Sequence, residues 1–229
     1  MAPRVGVVLF PGSNCEQDVI EAVNDLGANG SILWHGNPGL GDVDAVVIPG
    51  GFAHGDYLRP GAIARFSPIM RAIIEFANDG GPVLGVCNGF QVLTESGVLP
   101  GALQKNSGLK FLCAMTELTV SSTRSVLTAQ AHVGDILRVP VNHFSGNYIC
   151  DAQTLAELKD NDQIVLTYRD NPNGSMGNIA GISNLAGNVV GLMPHPERAC
   201  HPLIGSGDGV VLLRSFLSAA AGAATPARA

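Results

Sequence analysis

The sequence predicts an α/β fold: a doubly wound, mostly parallel sheet with an antiparallel extension. Two observations carry this reading. Between residues 5 and 95, short β-branched apolar runs closed by Pro or Gly alternate with stretches whose apolar residues recur at helical spacing. From Leu109 to Leu166 the pattern changes to β-like runs separated by polar turns. Size agrees, because 229 residues that are 46% hydrophobic and 14% charged can bury a sizeable core without disulfides or a structural metal. An aromatic content of 5% speaks against an all-β sandwich.

Val5-Gly6-Val7-Val8-Leu9-Phe10 reads as the first buried strand, ended by Pro11-Gly12. Ser13 and Glu16 have capping-box spacing, and Val19, Ile20, Val23 and Leu26 form one apolar stripe before Gly27, which predicts a helix. Ser31 to Trp34 and Val43 to Ile48 are the next strands, the second closed by Pro49-Gly50-Gly51. Pro68 to Asn78 carries Ile69, Ala72, Ile73 and Phe76 at helical spacing. Val83-Leu84-Gly85-Val86 is too short for a helix and suits a central strand, with another helix after Cys87. In the extension, β-like runs fall at Leu118 to Val120, Val126 to Thr128, Ile136 to Val139 and Ile164 to Tyr168. Asn171-Pro172-Asn173-Gly174-Ser175 is a turn-rich loop, Val189 to Leu192 a last buried strand, and Val210 to Ala219 a closing helix. One domain is expected over residues 1–222, with a frayed tail at 223–229.

Thirteen Lys and Arg against nineteen Asp and Glu give a net charge of -6 without a basic block, which disfavours nucleic-acid binding. The apolar run near the N-terminus is broken by Pro11 and Gly12, too early for a membrane span or a secretory leader, so a cytoplasmic location is expected. Five cysteines without a CxxC pair fit a reducing compartment. The six histidines form no HExxH or Cys/His array, so no dedicated metal site is expected.

Chemistry concentrates where predicted strands end, since sites of doubly wound sheets gather outside the carboxyl ends of the strands. Gly85-Val86-Cys87-Asn88-Gly89 has the layout of a nucleophile elbow: small neighbours let the turn close and present one side chain above the sheet. Unpaired N–H groups at a helix start favour thiolate, the attacking form of cysteine. The plainer alternative is a small buried hydrophobe. Met193-Pro194-His195-Pro196-Glu197 follows the last strand and offers a base, His195, in a stiff loop with Glu197 in reach to orient it. Gly50-Gly51-Phe52 and Asn88 can supply backbone N–H groups for an oxyanion, although Gly50-Gly51 also suits a simple turn.

On Gly12-Ser13-Asn14-Cys15-Glu16-Gln17-Asp18, Gly50 to Arg59, Gly85 to Gln91, Asn171 to Ser175 and Met193 to Arg198, the chain resembles the class I glutamine amidotransferases over nearly its whole length. The stretches Gly55-Asp56-Tyr57-Leu58-Arg59 and Asn171-Pro172-Asn173-Gly174-Ser175 narrow the likeness to the glutaminase subunits of phosphoribosylformylglycinamidine synthase, in purine biosynthesis. The resemblance implies a flavodoxin-like sheet, Cys87 as nucleophile, His195 as base and Glu197 as its orienting carboxylate. It implies further that Gly51 or Phe52, with Asn88, holds the oxyanion, and that Gln91 contacts the amino-acid end of glutamine. No cofactor is implied for this chain, which has no Walker-type loop. ATP and Mg belong to a large synthetase partner that takes the ammonia, and a small third protein can join the complex. Arg59 and Arg198 at the cleft mouth, and His143, either line an interface or cleft or are ordinary solvated or satisfied residues. Ala53 and His54 replace the family's usual Ser and Tyr, and Phe144 and Asn147 also depart from its pattern. Two other functions compete: a different Cys-His hydrolase, and a non-catalytic regulatory subunit.

Overall fold

The structure, a computed structural model, describes residues 1–223. In chain order the strands are β1 (Arg4–Leu9), β2 (Asn29–Trp34), β3 (Ala45–Ile48), β4 (Val83–Val86), β5 (Ala102–Gln104), β6 (Leu112–Val120), β7 (Ile136–His143), β8 (Asn147–Ile149), β9 (Ile164–Tyr168), β10 (Ile179–Ser183) and β11 (Val189–Leu192). The α-helices are α1 (Glu16–Asp25), α2 (Pro68–Asn78), α3 (Asn88–Glu95), α4 (Ala152–Asp160) and α5 (Gly209–Ala223). Nine strands form one sheet in the order β2-β1-β3-β4-β11-β10-β9-β6-β7, and β5 and β8 pair as a separate ribbon. The strands from β2 to β11 run parallel, and β10, β9, β6 and β7 extend the sheet antiparallel.

Burial explains the central strands. Every residue of β3, β4 and β11 is buried, so both sheet faces are covered and the sequence there reads as continuous apolar runs. α2 opens on Pro68, whose missing N–H costs nothing at a helix start, and buries Ile69, Met70, Ile73 and Ala77. α1 buries Val19, Ala22 and Val23.

The expected doubly wound sheet and its extension are present, with differences in detail: β10 and the β5 and β8 ribbon are not among the expected elements, and four further points depart. The Ser13 and Glu16 capping box does not form, because Ser13 Oγ accepts from Phe10 N–H and the chain at Asn14 and Cys15 is tied to the Gly50 carbonyl, delaying the helix to Glu16. Val126 to Thr128 is a turn rather than a strand, held by Thr128 N–H to Ser125 O and by the Ser125 and Thr128 hydroxyls at 2.8 Å. The segment Ala152–Asp160 is a helix that the polar texture hid, although Asp151 caps it by accepting from Thr154 N–H at 2.7 Å. α5 continues to Ala223, past the expected end at Ala219 and into the first residue of the expected tail. Residues 224–229 of that tail lie outside the described residues.

Packing is tightest between β3 and α3. A side chain at Gly89, on the first turn of α3, would overlap the Ile48 carbonyl, and one at Gly85 would lie 2.6 Å from Leu93 Cδ1. Gly89→Ala is therefore expected to lower stability by about 1–3 kcal/mol or more through overpacking against backbone. A urea midpoint equal to that of the parent chain would show that β3 and α3 can separate at no cost.

Candidate active site

Registration of three parallel strands sets the site. Ile48 lies beside Gly85, and Val86 beside Leu192, so the loops after β3, β4 and β11 leave the sheet at the same end. Gly50, Cys87 and His195 come from those three loops. A Cβ placed on Gly50 would lie 2.7 Å from His195 Cε1, 3.0 Å from Cys15 Sγ and 3.5 Å from Cys87 Cβ. Cys87 and His195 therefore meet on one side of the sheet, over a position only glycine can fill.

Cys87 caps α3 with φ 51° and ψ -104°, a conformation an L-residue adopts at a cost of about 1–3 kcal/mol. The turn is fastened by Cys87 N–H to Leu192 O at 2.8 Å. Its thiol lies 3.7 Å from the Asn142 carbonyl.

His195 is buried, and its Nδ1 is 2.6 Å from Glu197 Oε1, also buried. The other ring nitrogen, Nε2, has no protein hydrogen-bond partner among the described residues and remains for proton transfer. Burial opposes the imidazolium, but the Glu197 carboxylate and then the charge of Cys87 outweigh it. The His195 pKa is raised well above the ordinary histidine value. His143 behaves oppositely: burial first, then the charge of His195, push it down to about 4, so it stays neutral. Its Nδ1 pairs with Asn106 Oδ1 at 3.1 Å.

The N–H groups of Gly51 and Asn88 have no protein acceptor among the described residues. Phe52 does not share that property, since its N–H donates to Gly12 O at 2.9 Å; it contributes a half-exposed ring to the cleft wall. Gly51 has φ 139°, and a side chain there would lie 2.7 Å from Asn14 N. The amide of Gln91 is engaged by the protein: Nε2 donates to Ser145 O and Oε1 accepts from Asn88 Nδ2 at 2.9 Å. Arg59 is bidentate to Glu95, at 2.6 and 2.7 Å. Arg198 donates to Asp18 at 2.8 Å and approaches Cys15 Sγ at 3.2 Å. Both arginines line the cleft while bound to neighbouring carboxylates.

Sequence reasoning left out two members. Cys15 and Asp56 line the same cleft of about 850 Å³ as Cys87 and His195. Both stood within matched stretches, but neither has a spacing relation to Cys87 that marks it. Cys15, His195 and Glu197 bring potential ligand atoms within 4.8 Å of one another. That group does not suit a cation, because Glu197 is taken by the His195 Nδ1 hydrogen bond and the Arg198 guanidinium stands at the Cys15 sulfur. The burial of Asp56 pushes its carboxyl up to about 6, with the hydrogen bond from Asn88 acting the other way.

The family model of the CobB/CobQ-like glutamine amidotransferase domain matches residues 2–207. The phosphoribosylformylglycinamidine synthase subunit PurQ of Rubrobacter xylanophilus is 54% identical over 217 residues, covering 95% of this chain and 99% of that protein. The PurQ subunit of a Nostoc species is 50% identical over 216 residues, covering 93% and 96%. Among solved structures, a chain of PurLQS from Thermotoga maritima superposes with a TM-score of 0.88 at 41% identity, covering 95% of this chain and 99% of that one.

The electrostatics of the buried pair give a direct test. Glu197→Gln removes the largest interaction favouring the His195 imidazolium, so the His195 pKa is expected to fall. Ring-proton NMR across pH 5 to 9 reads this, and an unmoved titration would show that Glu197 does not hold the charge.

Proposed function

The chain belongs to the CobB/CobQ-like glutamine amidotransferases and, within them, to the PurQ-type subunits, and from that premise we propose that Cys87, His195 and Glu197 carry out its glutaminase reaction. The supporting observation is the meeting of Cys87 and His195 above Gly50.

In this reading the Cys87 thiolate attacks the side-chain amide carbon of L-glutamine. The oxyanion is received by the free N–H groups of Gly51 and Asn88, which cost no reorganisation because the strained turns already fix them. Protonated His195 donates to the departing nitrogen, and ammonia leaves a glutamyl thioester. Neutral His195 then takes a proton from water, which hydrolyses the thioester to glutamate and restores the thiol. Glu197 holds Nδ1 and stabilises the imidazolium at both stages. Gln91 shapes the cleft wall through Ser145 and Asn88.

The ammonia passes to the large synthetase subunit of phosphoribosylformylglycinamidine synthase, which carries ATP and Mg2+ and converts formylglycinamide ribonucleotide to its amidine. A small third subunit can join the assembly. The cleft rim presents Phe52, Leu58, Leu109, Phe111 and Phe144 with 37 to 80% of their surface exposed, an apolar border suited to a protein partner. Leu58 is the most exposed of them and holds φ 71°, a left-handed conformation costly for leucine. No helix among the described residues is long and apolar enough to cross a membrane. On the purine-biosynthesis reading we place the reaction in the cytoplasm.

Cys15 gives the one competing assignment, since its sulfur also adjoins His195. It is held between Asn14 at 3.1 Å and Arg198 at 3.2 Å, whereas Cys87 occupies the strained turn next to a free amide. Cys87→Ala is expected to abolish glutamine-dependent synthesis while ammonia-dependent synthesis by the partner persists, and Cys15→Ala to retain glutamate release. The reverse pattern, measured on the complex with ATP and ribonucleotide, would move the nucleophile to Cys15. Leu58→Glu should weaken the stimulation of glutamate release by the synthetase at least about tenfold, the scale of a lost interface anchor. Undiminished stimulation would remove the rim from the interface.

A further inference from the structure

The mechanism leaves the one carboxylate lining the cleft without a task. Besides His195, the basic side chains lining it are Arg59, Lys105 and Arg198, and the single carboxylate is Asp56. Arg59 and Arg198 already have carboxylate partners in Glu95 and Asp18. Asp56 has no cationic partner among the described residues; the group that meets its carboxylate is Asn88 Nδ2, 3.2 Å from Oδ1.

The position is built at some cost. His54, Gly55, Asp56 and Leu58 have φ of 53°, 68°, 52° and 71°, a cluster of left-handed residues of which aspartate tolerates its place better than most. The loop is pinned by His54 N–H to Pro11 O at 2.6 Å and by Ala53 N–H to Asn88 Oδ1 at 3.0 Å. Asn88, directly after Cys87, thus clasps the loop with both ends of its amide and sets the Asp56 carboxylate one side chain from the nucleophile's turn. Strain kept at such a place points to use.

We propose that Asp56 binds the α-ammonium group of the substrate and so selects L-glutamine over amides that lack it. This rests on the glutaminase reading above. Glutamine enters as a zwitterion, and its α-nitrogen lies four bonds from the amide carbon, at most about 5 Å in extended form. A ligand whose amide carbon sits at Cys87 therefore carries its positive charge into the neighbourhood of the Asn88 clasp. An unpaired, partly desolvated carboxylate gains most from a cation delivered there. Burial has raised its pKa only to about 6, so it is an anion at neutral pH.

The test compares the parent chain with Asp56→Asn, which keeps the shape and the tolerance of positive φ but removes the charge. Each is assayed in complex with the synthetase on L-glutamine and on glutaramate, the same amide without the ammonium group. The expected result is a KM for glutamine raised about 10- to 100-fold, with kcat and the activity on glutaramate little changed. An unchanged KM, or equal losses on both substrates, overturns the proposal. The rate of iodoacetamide alkylation mapped to Cys87 reports whether the site is intact. Should Asp56→Asn fail that check, Asp56→Glu decides: retained preference for glutamine over glutaramate supports a charge role, and lost preference overturns it. A parent complex that releases no glutamate from glutamine would defeat the glutaminase reading itself, whereas a working parent with an equally selective Asp56→Asn defeats only the role of Asp56.

Discussion

The close approach of three strand ends over Gly50 is the constraint on which the rest of the site depends. β3, β4 and β11 are parallel and in register, so their following loops converge at one end of the sheet. Gly50 then has to be a residue without a side chain, because His195, Cys15 and Cys87 occupy the space a Cβ would take. Gly85 and Gly89 serve the same end from the other side, letting α3 close on β3 tightly enough to lift Cys87 above the sheet. Small residues here are a packing requirement, and the meeting of Cys87 and His195 is its consequence.

Strain is concentrated at this end of the molecule. Cys87, His54, Asp56 and Leu58 hold positive φ, each at a cost the buried sheet has to absorb. The sheet can do so because its central strands are buried throughout and cannot shift without opening the core. Asn88 links the two strained segments, accepting from Ala53 and donating to Asp56 and Gln91. Its side chain ties the turn after Cys87 and the loop carrying Asp56 into one rigid unit, which suits the preorganised amides proposed for the oxyanion.

The same burial disfavours the charged form of two histidines in this cleft, yet their titrations move in opposite directions. His143 has only Asn106 as a hydrogen-bond partner on Nδ1 and is pushed toward neutrality, while His195 has a buried carboxylate and nearby thiols and holds a proton readily. Partner charge, rather than depth, separates the histidine that holds a proton from the one that stays neutral. A neutral His143 also avoids placing a second positive charge against His195.

Local chemistry wrote much of this protein into its sequence. Uninterrupted apolar runs gave away the central strands because both of their faces are buried, and the small residues around Cys87 and the prolines around His195 marked the two loops that meet over Gly50 because tight turns admit few side chains. What depended on contacts between distant residues could not be read that way. Ser13 fits a capping box by spacing, yet the Gly50 carbonyl takes the amides of Asn14 and Cys15 and the helix begins later. Phe52 looked equivalent to Gly51 as an oxyanion donor until Gly12 O claimed its N–H. Arg59 and Gln91 have partners, Glu95 and Ser145, chosen by the packing of loops far apart in sequence. Cys15 and Asp56 join the cleft for the same reason: a hydrogen bond or a thiol beside an imidazole is decided by where the chain returns, and only the folded sheet brings those returns together.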